Sequence, residues 1–126
     1  MRIFKNAWFS RFADKEGITD GELREAVNLL EAGQPRQLVG AADLGGDVYK
    51  MRLARPGEGK SGGYRVIVFF KSEERTFFVY AFAKAKRTNI DQKELRNYKK
   101  DAKDFLSLTD EQIEYRKRKR ILIELL

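Results

Sequence analysis

The sequence predicts an α+β domain, a small twisted antiparallel sheet with helices packed on it. Two helix-periodic stretches open the chain, three strand-like stretches fill its middle, and helical periodicity returns after residue 90. Elements in that order pack most simply as one sheet covered by helices. At 126 residues the whole chain, 1–126, is one domain's worth and can bury a core without staples.

Residues 4–15 are expected to form a short helix, because Phe4, Trp8, Phe9 and Phe12 recur three or four apart. Gly17 breaks it. Thr19 then reads as an N-cap with Glu22 three residues on, and Leu23, Ala26, Val27 and Leu30 give the stripe of a second helix ending at Gly33. The two helices make an αα-hairpin. Residues 33–47 read as loop, with Pro35, Gly40, Gly45 and Gly46.

A strand follows over Val48 to Arg55. Tyr49, Met51 and Leu53 share one side; Lys50, Arg52 and, less regularly, Ala54 share the other. PGEGKSGG (56–63) is a turn-rich loop. YRVIVFF (64–70) and TFFVYAF (76–82) are aromatic and β-branched, as strands prefer, and the short polar link KSEER (71–75) joins them as a hairpin. A helix is expected over 91–106, capped by Asp91 with Glu94 three on; its apolar face is Leu95, Tyr98, Ala102 and Phe105. Thr109 caps a further short helix with Gln112 as its box partner. The tail runs RKRKR into ILIELL and supplies an edge strand or packs across the core.

Composition narrows the chemistry. There is no cysteine, which removes disulfides, thiol catalysis and thiolate-ligated metal, and fits a reducing compartment. There is no histidine, so the usual acid or base near neutral pH is missing. No metal or other cofactor is expected. Neither a signal peptide nor a membrane span is legible, so the expected location is the cytoplasm. The net charge is +7, and its imbalance is local: residues 1–31 carry five basic and six acidic side chains, residues 32–126 carry 21 and 13. A basic surface attracts phosphate backbones.

GEGKSGG resembles a phosphate loop, but its spacing departs from G-x-x-x-x-G-K-[ST] and strand-like sequence follows it. A glycine-rich hairpin loop accounts for the glycines. It does not account for Lys50, Arg52, Arg55, Lys60 and Arg65 around them. Arg65 shares its strand face with Ile67 and Phe69, which would point inward. The hairpin brings the end of strand 76–82 beside the start of strand 64–70. Lys84, expected to share a face with Phe78, Tyr80 and Phe82, therefore approaches Arg65 together with Arg87. Three segments converge on a basic concavity, and a polyanion is the expected guest. Such a cluster can promote cleavage of RNA by the substrate's own 2′-OH: arginine stabilises charge on the phosphoryl oxygens, and a lysine of lowered pKa accepts a proton. Orientation supplied by a second surface would compensate for the missing histidine.

With these residues laid out, the chain resembles the RelE/HigB superfamily of bacterial type II toxins, in a HigB-like branch that contains GKSGGYR. The resemblance spans most of the chain: WFSRFA (8–13), KMRLARPGEGKSGGYRV (50–66), FFVYAFAK (77–84) and NIDQKEL (89–95). It implies a compact microbial-RNase-like fold. It also implies a ribosome-dependent mRNA endonuclease that enters the ribosomal A site, neutralised by a cognate antitoxin, here expected to be a small helix-turn-helix protein. On this resemblance catalysis is expected from Arg65, Lys60, Lys84 and Arg87. RNA binding is expected from Lys50, Arg52, Arg55, Lys86, Arg96, Lys99 and Lys100. The chain departs from relatives that carry a Tyr or His as proton-transfer group near the C-terminal end. Asp91 follows Asn89-Ile90 here, and Tyr115 is the tyrosine available in the tail. Two alternatives stay open, a ParE-like inhibitor of DNA gyrase and an RNA-binding relative without catalysis.

Overall fold

The structure is a computed structural model that describes residues 1–33, 42–53, 63–83, 86–87 and 89–125. Among them the order is β1 (Arg2–Asn6), α1 (Ala7–Glu16), α2 (Asp20–Glu31), β2 (Ala42–Asp43), β3 (Val48–Leu53), β4 (Tyr64–Lys71), β5 (Arg75–Ala83), α3 (Gln92–Leu106), α4 (Asp110–Arg118) and β6 (Leu122–Glu124). One sheet runs β2-β3-β4-β5-β1-β6. Its pairings are antiparallel except β1 with β5, which are parallel. The fold is the predicted α+β arrangement, with that one parallel pair as its departure from an all-antiparallel sheet.

The N-terminal segment corrects the expected helix over 4–15. Phe4 belongs to β1, between β5 and β6, and only from Ala7 is the chain helical. Asn6 makes the switch: its side chain accepts a hydrogen bond from the Phe9 amide at 2.7 Å and caps α1. Gly17, in the left-handed region at φ 73°, closes α1 as expected. Thr19 caps α2 by accepting from the Glu22 amide. Asp91 and Thr109 each close a full capping box, with Glu94 and Gln112. The expected loop 33–47 contains the short strand β2, paired with Lys50 and Tyr49 of β3. The tail supplies the edge strand β6.

Both faces of the sheet are covered. Phe9, Ala13, Leu23, Val27 and Leu30 of α1 and α2 pack on Met51, Val66, Val68 and Phe78. On the other face Ala102 and Ile113 of α3 and α4, with the half-buried Phe105, pack on Val48, Ile67, Phe69, Phe77, Phe4 and Leu122. Burial of these side chains is the main stabilising term, roughly 1.5–3 kcal/mol for each large one. Because strand side chains alternate, Lys50 and Arg52 of β3 share the α3 face with Ile67 and Phe69 of β4. The polar side of one strand and the apolar side of the next are thus one surface.

Candidate functional site

The α3 face of the sheet is organised in three cross-strand rows. In the first, Val48, Phe69 and Phe77 stand side by side, and Phe105 lies over them with ring centroids 5.5 Å from Phe69 and 5.3 Å from Phe77. In the second stand Lys50, Ile67 and Tyr80, with the Tyr98 ring 6.3 Å from that of Tyr80. The third holds Arg52, Arg65 and Phe82. Along the sheet the surface therefore passes from core to cation.

A β-bulge sets the second row. Ile67 pairs with Tyr80 and Val68 with Phe78, leaving Val79 as the extra residue. The expectation that Phe78, Tyr80 and Phe82 share a face is corrected accordingly. Phe78 lies in the α1–α2 core between Phe77 and Val79 of the α3 side, and the bulge then sets Tyr80 on the α3 side as well. Without the bulge Tyr80 would point to the opposite side.

Arg52 and Arg65 face each other as a cross-strand pair, with side chains about 5 Å apart at their Cβ atoms. Arg65 is only 5 % exposed. Its Nη1 and the Nε of Arg52 are buried and have no hydrogen-bond partner among the described residues. Burial first, and the Arg52 charge second, push the Arg65 guanidinium below its ordinary pKa. No carboxylate among the described residues pairs with either arginine. Like charges opposite each other on a sheet are unfavourable, and a buried donor without an acceptor costs about 1–3 kcal/mol. A phosphate would relieve both, because each guanidinium presents a planar fork of donors that matches phosphate oxygens.

Arg87 and residues 89–94 border this pair. The Lys50 ammonium donates to Asn89 Oδ1 at 3.3 Å. Arg87 donates through Nε to the Asn89 carbonyl at 2.7 Å, forms an ion pair with Glu94, and lies 5.6 Å from the Phe82 ring centre. The Glu94 hydrogen bond, more than any other cause, raises the Arg87 pKa. Arg87 thus joins the site through Phe82, with its charge already engaged, while the cation acting on Arg65 is Arg52. Tyr98 is raised well above the usual phenol range, chiefly by burial, so its hydroxyl stays protonated and can donate.

The remaining expected residues separate. Lys86 is exposed at the end of β5. Arg96, Lys99 and Lys100 are exposed on α3, with the Lys99 stem against the Gly45-Gly46 turn. Arg55, Lys60 and Lys84, and with them residues 57–62 of the GEGKSGG loop, lie outside the described residues. Asp91 is a helix cap whose pKa is lowered by the Glu94 backbone hydrogen bond. Tyr115 lies half exposed on α4 with the Lys119 ammonium 5.7 Å from its ring centre. Sequence reasoning missed Asn89, Glu94 and Tyr80 as site residues. Asn89 and Glu94 had a signal, the motif NIDQKEL; Tyr80 depends on the bulge. Among the described residues no cluster of acidic side chains is placed to hold a metal ion.

The profile of the RelE toxin of the RelE/RelB toxin-antitoxin system matches residues 1–125. The chain belongs to the RelE toxin family. It is accordingly the toxin component of a toxin-antitoxin system, with an antitoxin as partner. A search of curated proteins finds no match. Among the described residues no helix is long and apolar enough to cross a membrane.

Proposed function

We propose that the protein is a ribosome-dependent mRNA endonuclease of the HigB-like branch, acting in the cytoplasm at the ribosomal A site. The observation that carries this is the Arg52–Arg65 pair, two cations on one row with buried nitrogens that lack an acceptor among the described residues. An RNA phosphate is the acceptor such a pair suits. In the proposed reaction the 2′-OH attacks the adjacent phosphorus, a new P–O bond forms, and the bond to the 5′-oxygen breaks. One proton leaves the 2′-OH and one reaches the 5′-oxygen.

Arg65 and Arg52 neutralise charge that grows on the phosphoryl oxygens, a preorganised electrostatic role worth several kcal/mol in a dry site. Tyr98, held protonated, is suited to donating a hydrogen bond. Lys60 and Lys84 are the candidates for proton transfer, Lys50, Arg55 and Lys86 for backbone contacts, and Arg87 for positioning residues 89–94. Arg96, Lys99 and Lys100 on the exposed side of α3 would touch more distant phosphates or ribosomal RNA. The antitoxin, proposed to be a small helix-turn-helix protein, would silence the toxin by covering this basic surface.

The test adds purified protein to messenger RNA with and without programmed ribosomes and maps the ends by primer extension. Discrete cuts that require ribosomes and vanish in Arg65→Ala, with folding retained, are the expected result. Intact RNA in both settings from folded wild-type protein would reject the proposal in favour of gyrase inhibition or binding without catalysis.

A further inference from the structure

A second concavity adjoins the arginine row. The register of β1 with β5 ends at Lys5 and Phe78, so among the described residues the last part of β5 has no strand beside it on that side. Instead α1 runs past it, and Asn6 Nδ2 donates to the Val79 carbonyl at 2.9 Å. Between α1 and the end of β5 lies a cavity of about 250 Å³, whose lining includes Phe12, Glu16, Tyr64, Tyr80, Phe82 and Arg87. Phe82 belongs to the same row as Arg52 and Arg65, so the cavity begins where the arginine pair ends.

Its chemistry is specific. The walls are aromatic: Tyr80 and Phe82 stand 6.1 Å apart, and the Phe12 and Tyr64 rings meet edge to face at 5.2 Å. Glu16 is the one carboxylate among the described residues that line it. Its Oε2 accepts from the Tyr64 hydroxyl at 2.7 Å, which fixes the group while leaving other lone pairs to accept from a guest. Cations surround it, with Lys86 and Arg87 in the lining and Arg11 and Lys15 on the adjoining outer face of α1, beside Trp8 and Phe12. Flat aromatic walls, one fixed acceptor and a cationic rim match an unstacked base on a polyanionic strand.

We propose that this cavity takes a nucleobase of the single-stranded RNA whose phosphate sits on the arginine row, guanine before the others. Guanine presents two adjacent N–H donors, at N1 and N2, to a carboxylate. Adenine and cytosine offer an amino group beside an acceptor nitrogen, and uracil offers one N–H between two carbonyls. The proposal rests on the RNA reading above.

Trp8 is the protein's only tryptophan and reports on the site. Its ring stacks on Phe12 at 5.3 Å and lies 4.8 Å from Tyr80. Its fluorescence would be titrated with UUGUU, UUAUU, UUCUU and UUUUU. UUGUU is expected to bind roughly tenfold or more tightly than UUUUU, the scale of a charge-assisted hydrogen bond. Glu16→Gln keeps an oxygen for the Tyr64 hydroxyl but loses the charge and one acceptor, and should erase the advantage of guanine. A thermal melt checks that the variant is folded, and Glu22→Gln on α2 serves as the control. Equal affinity for all four, or a guanine advantage that survives Glu16→Gln, overturns the proposal. So does a Trp8 signal that responds to the antitoxin and not to RNA. Ribosome-dependent cuts without base discrimination sink only the base site; discrimination without cuts sinks only the endonuclease.

Discussion

Replacing Arg65 with methionine should make the protein more stable and less active at once. The substitution removes a buried nitrogen without an acceptor among the described residues, a term of about 1–3 kcal/mol. It also removes a like-charge cross-strand contact with Arg52, a few tenths of a kcal/mol more. Methionine fills much of the space of the arginine stem, and no ion pair among the described residues is lost. The net expectation is a gain of about 1–3 kcal/mol, or a rise of roughly 3–10 °C in Tm for a domain of this size. Linkage gives a second readout. Phosphate or sulfate at ten times its Kd should stabilise the wild type by about 1.4 kcal/mol and Arg65→Met by far less. Cleavage should fall on the order of a hundredfold or more. Differential scanning fluorimetry across an anion series, alongside primer extension, measures all three. A variant that melts below the wild type, or equal anion-induced shifts in both proteins, would refute the assignment of this pair as an anion site.

Other expectations follow from the same structure. Asp91→Ala should lower the urea midpoint by opening the capping box of α3, whereas Asp91→Asn should keep both stability and cleavage; urea titration and primer extension separate a cap from a base. Lys5 is buried and donates to Asp20 at 2.9 Å, so Asp20→Asn should destabilise by about 1–2 kcal/mol, a figure discounted because Asp20 is partly open to water. The double change with Lys5→Met should recover most of that loss. Hydrogen bonds from Arg2 first, and then Lys117, hold Glu124 at a pKa of about 2 against an ordinary 4.5. Its folded value is depressed, so its stabilisation is full above pH 4.5 and disappears as the pH falls through about 2. Acid should therefore weaken the β1–β6 edge by about 1–2 kcal/mol after allowance for screening, and Glu124→Gln should flatten that part of the pH–stability curve.

Much of the fold was legible because local signals agreed with the tertiary arrangement. Gly17, Thr19, Asp91 and Thr109 stop or start helices by backbone chemistry that acts within a few residues, and the strands of the central hairpin carry their preferred residue types. β1 was misread because Phe4, Trp8 and Phe12 fit helical spacing. Asn6, the cap that separates strand from helix, does not stand out without knowing that β5 lies alongside. The site was legible as charge and not as geometry. Arg65 stood out as a cation on an apolar strand face, but its cross-strand partner is fixed by the register of β3, a non-local fact. Tyr80 was hidden by the one extra residue at Val79, which no local pattern announces. Glu16 was invisible as a site residue because its partner, Tyr64, is 48 positions away.

The placement of β1 ties the timing of folding to the far end of the sequence. This strand lies between β5 and β6, so one of its edges is closed only by residues 122–124. Arg2 likewise finds its acids at Glu114 and Glu124. A nascent chain in which those residues are still inside the exit tunnel keeps a bare strand edge and an unpaired Arg2. Its sheet can be finished only after they emerge. The ribosome that makes this toxin would therefore carry it in an unfinished state until residues 122–124 emerge. The antitoxin would need to meet it only after residues 122–124 had cleared the tunnel.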